Sequence, residues 1–577
     1  MDMLRNRPDI IRQLRSLKSA DLLDLEAMLP EPRIAVGIDG SMDFDEVLEM
    51  LLFYVAAGGY QCGFTIKDKR PSFNLLNATR IEGLTASAAV PLWEEDLLNL
   101  VPSNEQIETD VDFRRTMERI PFALMTMAEL YLAWKILSTS NIRILFLDRP
   151  FSGTYPSLYR DAAFMLMRKK LALEGLATKE GRIERFDLRI AYAIGSGKSY
   201  VPPRSIYLPF AVLRFLLEKP RAAKNEIAKT LRLSDKDLDS ALRQLRVLDK
   251  RSGSQIVKRE EVDLIEISER VLTTWPRVRA LALQIAERIF NPPASLKHPL
   301  LMDNGRWLSV TELNALNLYL IDAVIEESLR RDVIVVGLAK DTTATDFTRA
   351  ALPTSLSMKD GAGKLPGLKS DKALLTILSS ANSRTLSTPW RTFAYDGCMA
   401  TLIATPNADV KLRAARHTIT RERLFVRSYF QLRTFQNDPD IRAPVFLYDR
   451  LYAPNYDEKL NHDMKAVERE KDVTLHFFFE SEAQRSQLDD LVLLILSTCD
   501  NPEVLEAYGH NQLLYLADKL VKGEVQLMKG LLRGVVDLEL TPLARREKVF
   551  SIARRFRDLR AESESARKQA AQATAEV

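Results

Sequence analysis

Three carboxylates of this chain stand alone in apolar surroundings, and that isolation is what could give them chemistry. Asp39 closes the stretch Arg33–Ser41, RIAVGIDGS, where Ile34, Val36 and Ile38 alternate with small residues as in a short buried strand. Gly40 follows and would turn the chain. Asp148 closes Asn141–Pro150, NIRILFLDRP, whose Ile142, Ile144, Leu145, Phe146 and Leu147 make a strand buried on both faces. Glu129 is the only acid in Ile120–Leu137, IPFALMTMAELYLAWKIL, a long apolar helix where Met125, Leu132 and Ala133 flank it at helical spacing. The nearest cation in sequence, Lys135, projects from a different face. Desolvating a carboxylate is costly unless a cation or hydrogen-bond donors meet it. Asp39 alone could cap its own turn. Three such acids are more economically explained by one shared site for a divalent metal, the arrangement of a magnesium- or manganese-dependent phosphodiesterase.

The elements that would carry these acids follow from the patterning. Residues 1–30 read as an amphipathic helical arm, with Leu4, Ile10, Ile11, Leu14 and Leu17 on one side. After the Asp39 strand, LEMLLFYVAA and QCGFTIKD suit two antiparallel strands with Gly58-Gly59 at the turn. Leu158–Leu173 reads as a helix covering the sheet, and strands alternating with long helices make an α/β core. Gly195–Ser199, GSGKS, is no phosphate-binding P-loop: the position five before Gly197 is Tyr192, and Pro202 and Pro203 interrupt any helix after it. From Leu208 to Ile267 the pattern changes to three helices and a strand pair, as in a winged helix. Its third helix mixes Lys236, Arg243 and Arg246 with Asp235, Asp237 and Asp239, a poor face for a major groove. Lys250, Arg251, Lys258 and Arg259 of the wing are better placed for phosphate, and a structural or docking module is the alternative.

Beyond Trp307 the core pattern resumes, with a helix through Leu313–Arg330 and the strand Asp332–Lys340, DVIVVGLAK. Lys340 at its end could neutralise a phosphate. Phe425–Gln431, Val445–Tyr448 and Val473–Phe479 read as further strands. Arg413, Arg416, Arg421, Arg423 and Arg427, interleaved with Phe425, Tyr429 and Phe430, form a candidate track for a DNA strand. The segment 541–577 opens with Thr541 and Pro542, carries a dense basic helix face, and fades into an Ala/Gln/Glu tail.

Composition narrows the class. With 577 residues, 46% hydrophobic and 28% charged, the chain is an ordinary globular protein too long for one core. The 82 basic residues barely exceed the 78 acidic ones, so any nucleic-acid surface must be local. Cys62, Cys398 and Cys499 form no CxxC, and the five histidines form no HxH or HExxH, which disfavours a zinc site or a disulfide framework. No signal-like segment opens the chain, and the most apolar stretch, around 120–147, carries Glu129, Lys135 and Arg143, so a cytoplasmic protein without a membrane span is expected.

IDGS with Asp39, Glu129 in a helix, and the strand ending in Asp148 resemble the NurA nuclease family. DVIVVGLAK is similar to that family's strand ending in lysine, and Gly509–Asp518, GHNQLLYLAD, to its closing motif, a glycine-led turn running into a helix. The chain departs from the pattern at two places: the second acid stands in Asp148-Arg149-Pro150 rather than a DGS-like turn, and Asp518 occupies the usual histidine position. The resemblance covers roughly 30–175 and 300–535 and implies an RNase H-like nuclease core, a mixed sheet flanked by helices. On that basis the expected division is a helical arm (1–30), a nuclease core in two parts (31–200 and 301–540), an inserted winged-helix-like domain with its linking helix (201–300), and a basic terminal helix and tail (541–577). The resemblance further implies a DNA end-processing nuclease, as exonuclease or endonuclease, in which Asp39, Glu129, Asp148 and Asp518 hold two Mn²⁺ or Mg²⁺ ions and Lys340 contacts phosphate. Its implied partners are DNA, a HerA-type hexameric ATPase translocase and a second copy of the chain. The alternative is a non-catalytic DNA-processing scaffold, or a winged-helix DNA-binding protein, that loads the motor.

Overall fold

The computed structural model describes residues 8–535, apart from 18–24, 48–49, 82–84, 94–109, 197–206, 232, 252, 254, 341, 358–369, 398–401, 405–411, 415–424, 436–437, 469–470, 482 and 501–509. Among the described residues a twelve-stranded mixed sheet organises the molecule. Its main strands are β1 (Leu14–Ser16), β2 (Ile34–Val47), β3 (Met50–Lys67), β4 (Ala86–Trp93), β5 (Ile144–Leu147), β6 (Ile334–Ala339), β7 (Trp390–Thr392), β8 (Phe425–Gln431) and β9 (Phe446–Leu451). They lie in the order β1-β7-β8-β9-β6-β5-β2-β3, with β4 on the far side of β3. From β4 to β6 the pairings run antiparallel, antiparallel, parallel, parallel. A mixed α/β architecture is thus in place.

Helices α1 (Asp110–Thr139), α2 (Phe151–Met167) and α3 (Val310–Arg331) cover one face of the sheet. Nearly every turn of α3 is apolar, so it is buried all round and runs beside α1. Ser309 and Glu312 form a capping box at its start, and Glu312 also accepts the backbone N–H of Ala172. The segment Arg119–Thr139 of α1 is apolar and long enough to cross a membrane by composition, but it packs as a core helix. The other face is covered by α4 (Gln487–Thr498) and α5, the helix over 512–535.

Between α2 and α3 in the chain, helices Tyr207–Glu218, Lys224–Thr230 and Asp235–Arg251 alternate with a three-stranded sheet of Arg221–Ala223, Leu264–Ile267 and Val257–Glu260. These elements pack with Phe186, Ile190, Ala193 and Ile194 of the helix Arg185–Ile194 around Leu213, Ile227, Leu242, Leu245 and Ile265.

Several sequence expectations are corrected. LEMLLFYVAA and QCGFTIKD form one strand, because β3 runs straight through Gly58-Gly59 with Gly58 paired to Asp39. The absent side chains there admit a neighbour: a Cβ on Gly58 would lie 3.0 Å from Leu520 of α5. Correspondingly, β2 does not stop at Asp39 but continues to Val47. The described part of 1–30 is not one helix. It breaks into Pro8–Ile11, β1 and Leu25–Met28, because Arg15 is drawn into the core against Glu480 while β1 pairs with β7. The helix expected over Leu158–Leu173 starts earlier and ends at Met167. Gly195 and Ser196 follow the helix Arg185–Ile194; the rest of GSGKS, Cys398 and the segment 541–577 lie outside the described residues.

Candidate active site

Register brings the two aspartates together. Ile38 of β2 pairs with Leu147 of β5, so Asp39 and Asp148 each stand one residue past the same rung, and the Asp148 N–H donates to the Ile38 carbonyl. The parallel β6 lies beyond β5 and delivers Lys340 to the same edge, where its Nζ lies 2.9 Å from Asp148 Oδ2. Glu129 reaches in from α1, and room for it is made by Gly40: a Cβ there would lie 2.5 Å from Glu129 Oε1. Two residues before Asp39, Gly37 does the same for α5, since a Cβ on it would meet Leu513 at 2.7 Å. The two glycines of VGIDG therefore let a helix approach on either side of the acid between them.

The partner of Glu129 is Arg149, not Lys135. Arg149 Nε and Nη2 donate to the two Glu129 oxygens at 2.6 and 3.2 Å. Both side chains are at most one-tenth exposed. The Phe122 ring lies 5.2 Å from the guanidinium carbon. Asp449 of β9, fully buried, anchors the turn behind Arg149 by accepting the N–H groups of Phe151 and Ser152 and the Ser152 hydroxyl. Sequence analysis missed both residues. Arg149 stood in view as the departure that follows Asp148; Asp449 had no local signal, because what it holds is 297 positions away.

The electrostatics are those of crowded acids. Burial, then Asp148 and Glu129, push the Asp39 carboxyl up to about 9, against the opposing pull of the Gly40 N–H and Lys340. Burial pulls the Lys340 ammonium down, but Asp148, with Asp39 and Asp518, outweighs it and raises its pKa. Asp518 of α5 is thus within electrostatic reach of Lys340, and it pairs with Lys522 one turn on at 2.8 Å. His510, just before α5, is buried beside Phe446; burial first and Lys340 second lower its pKa to about 3, and its Nε2 has no hydrogen-bond partner.

Asp39, Glu129, Asp148, Lys340 and Asp518 are therefore brought to one neighbourhood. The donor set is all oxygen, as hard divalent ions require. Yet Glu129 and Asp148 are each engaged by a basic side chain, and among the described residues no three acids or histidines stand ready to share one ion. The residues fit one divalent ion at Asp39 and Asp148 more readily than two.

The arginine track is corrected where the structure describes it. Arg427 is buried and paired with Asp346 and Ser152, and Phe425, Tyr429 and Phe430 are core residues. Arg416, Arg421 and Arg423 lie outside the described residues, as does the Arg413 side chain. In the inserted module Lys258 pairs with Glu266, Arg259 with Glu261, and Arg246 with Glu260.

No family model matches the sequence, and no curated protein does. Among solved structures, the NurA nuclease from Sulfolobus solfataricus is 11% identical, covering 92% of this chain and 90% of its own with a TM-score of 0.35. A NurA structure with manganese is 12% identical, covering 92% of this chain and 93% of its own with a TM-score of 0.33. A third, NurA bound to dAMP and manganese, is also 12% identical, covering 79% of this chain and 84% of its own with a TM-score of 0.30. The chain is therefore similar to NurA structures over most of its length, with overlaps too loose to transfer any residue's role.

Proposed function

We propose that the chain is a divalent-metal-dependent deoxyribonuclease acting in DNA end processing. The observation that carries this is the convergence of Asp39, Glu129 and Asp148, with Lys340, at the edge where β5 and β6 end beside β2. The antiparallel, antiparallel, parallel, parallel pairings from β4 to β6 support reading the sheet as an RNase H-like core, and the alternation of helices and strands over 207–267 supports reading that segment as a winged helix. A divalent ion bound by the acids would supply Lewis-acid polarisation of the scissile phosphate and a water of lowered pKa. Asp39 and Asp148 hold the position of that charge, and Asp518 adds negative potential from α5. Lys340 exchanges Asp148 for a phosphate oxygen and neutralises it. DNA is the substrate; a HerA-type translocase and a second copy of the chain are the proposed partners.

The test is degradation of linear DNA by purified protein with and without Mn²⁺. Asp39→Asn and Asp148→Asn each abolish it while leaving the fold intact, since ligands are lost and no volume is gained. Digestion at the wild-type rate by either variant sinks the assignment. A second reading, a non-catalytic scaffold that loads the motor, is favoured by one observation: the ion pairs of Glu129 with Arg149 and of Asp148 with Lys340 neutralise acids a catalyst would keep open. Inactivity of the wild type in every metal, with the translocase supplied, decides for the scaffold.

A further inference from the structure

We infer that Arg149 does the charge work of a second metal ion, so that the site takes one divalent ion and one fixed guanidinium. The inference rests on the metal-dependent nuclease proposed above. Three features of the chain lead to it. First, the Glu129 carboxylate is filled at both oxygens by Arg149 Nε and Nη2, so an ion at Glu129 would have to expel a buried, bidentate partner. Second, Glu129 is packed onto β2: its Oε1, Cγ and Cδ lie within 3.0 Å of where a Cβ on Gly40 would stand. Third, Arg149 is fixed from behind. Pro150 follows it, Asp449 ties down the N–H groups of Phe151 and Ser152, and Phe122 lies against the guanidinium. A Cβ on Gly337 would meet the Arg149 carbonyl oxygen, so β6 also closes against this turn.

The charge count agrees. Binding an ion takes the proton that burial keeps on Asp39; Asp39, Glu129 and Asp148 then contribute three negative charges, and Arg149 and Lys340 two positive ones, which leaves one to be met. A single divalent ion on Asp39 and Asp148 meets it and leaves the site positive towards phosphate. A second ion beside the guanidinium would meet like charge at short range. The bonds to Glu129 use Nε and Nη2, which leaves the Nη1 donors of a planar, permanently charged group for a phosphate oxygen. A fixed cation of this kind stabilises developing charge without reorganising during the reaction. Glu129 is then a positioning residue, which orients Arg149 rather than ligating metal.

The experiment counts Mn²⁺ ions per chain by titration calorimetry and by the free Mn²⁺ electron-resonance signal, with no DNA present. Wild type is expected to bind one ion, Glu129→Gln still one, and Arg149→Met two, since freeing Glu129 opens the second position. Circular dichroism checks that each variant is folded; if Arg149→Met is not, the counts for wild type and Glu129→Gln decide. Two ions on wild type, loss of an ion in Glu129→Gln, or a single ion on folded Arg149→Met each overturns the inference while leaving the nuclease proposal standing. A wild type that binds no Mn²⁺ and cleaves no DNA overturns both.

Discussion

Replacing Gly40 by alanine adds a single methyl group, and the structure says where it goes. The new Cβ would lie 2.5 Å from Glu129 Oε1, 2.8 Å from its Cγ and 3.0 Å from its Cδ. All three distances are at or inside ordinary carbon contact, and Glu129 is held by Arg149 at 2.6 Å on its other side. Overpacking of this kind costs about 1–3 kcal/mol. If Glu129 swings away to make room, a buried ion pair is broken at about 3–5 kcal/mol. Gly40→Ala should therefore destabilise the core by about 1–5 kcal/mol, whichever route relaxes it. Urea unfolding followed by tryptophan fluorescence measures this directly. The same substitution at Gly523, inside α5 with nothing within 4 Å of its Cβ position, should instead stabilise by about 0.5–1 kcal/mol through helix propensity. In a Glu129→Ala background the clash partner is gone, and Gly40→Ala should fall close to neutral. A Gly40→Ala midpoint equal to wild type, or an undiminished effect in the Glu129→Ala background, refutes the close approach from which Glu129 and Arg149 were placed.

Other expectations follow from single residues. His510 is buried and its pKa is held down to about 3, against about 6.5 for an unfolded histidine. The folded form binds that proton less readily, so the stability His510 contributes is full above pH 6.5 and is lost as pH falls towards 3. His510→Phe should flatten the acid limb, with a difference of about 3 kcal/mol by pH 4; parallel pH profiles would show that the ring is not buried in its neutral form. Lys258 and Arg259 are neutralised within the wing, so changing them with Lys250 and Arg251 to alanine should leave the salt dependence of DNA binding unaltered. A shallower slope in binding titrations would restore the wing as a phosphate contact. Asp518→Ala should slow cleavage in Mn²⁺ and Mg²⁺ alike, because it removes negative potential beside Lys340 and not a ligand of the ion. Unchanged cleavage rates for Asp518→Ala would assign the residue to its Lys522 ion pair alone.

What could be read in the chain, and what could not, divides along the distance over which each feature is held. Asp148 after its strand, Glu129 in its helix and Lys340 after β6 all rest on local periodicity, and each element is present with its residue where expected. The run of β3 through Gly58-Gly59 was hidden, because two glycines signal a turn unless one knows that α5, some 460 positions on, must pass over them. The same holds for Arg15 and Arg427. As sequence they are basic residues suited to a surface, and only the distant Glu480 and Asp346 make each of them a core residue. Arg149 is the instructive case: its place beside Asp148 is printed in the sequence, but its bond to Glu129 exists only once α1 and β5 are packed.

The long α5 helix ties the end of the described chain back to its beginning. Its first turns fill the space over Gly37 and Gly58 and carry Asp518, and its far end clamps β2 through Lys529 on Asp43 and Asp45 and Arg533 on Asp45. Val521, Val525 and Met528 pack with Tyr54 and Ala56 of β3. Chains emerge from the ribosome amino end first, and domains fold as their parts arrive. Asp39 is thus made early but stays without this cover until the first turns of α5 are out. A chain stalled before residue 510 lacks this cover on its β2–β3 pair and lacks Asp518.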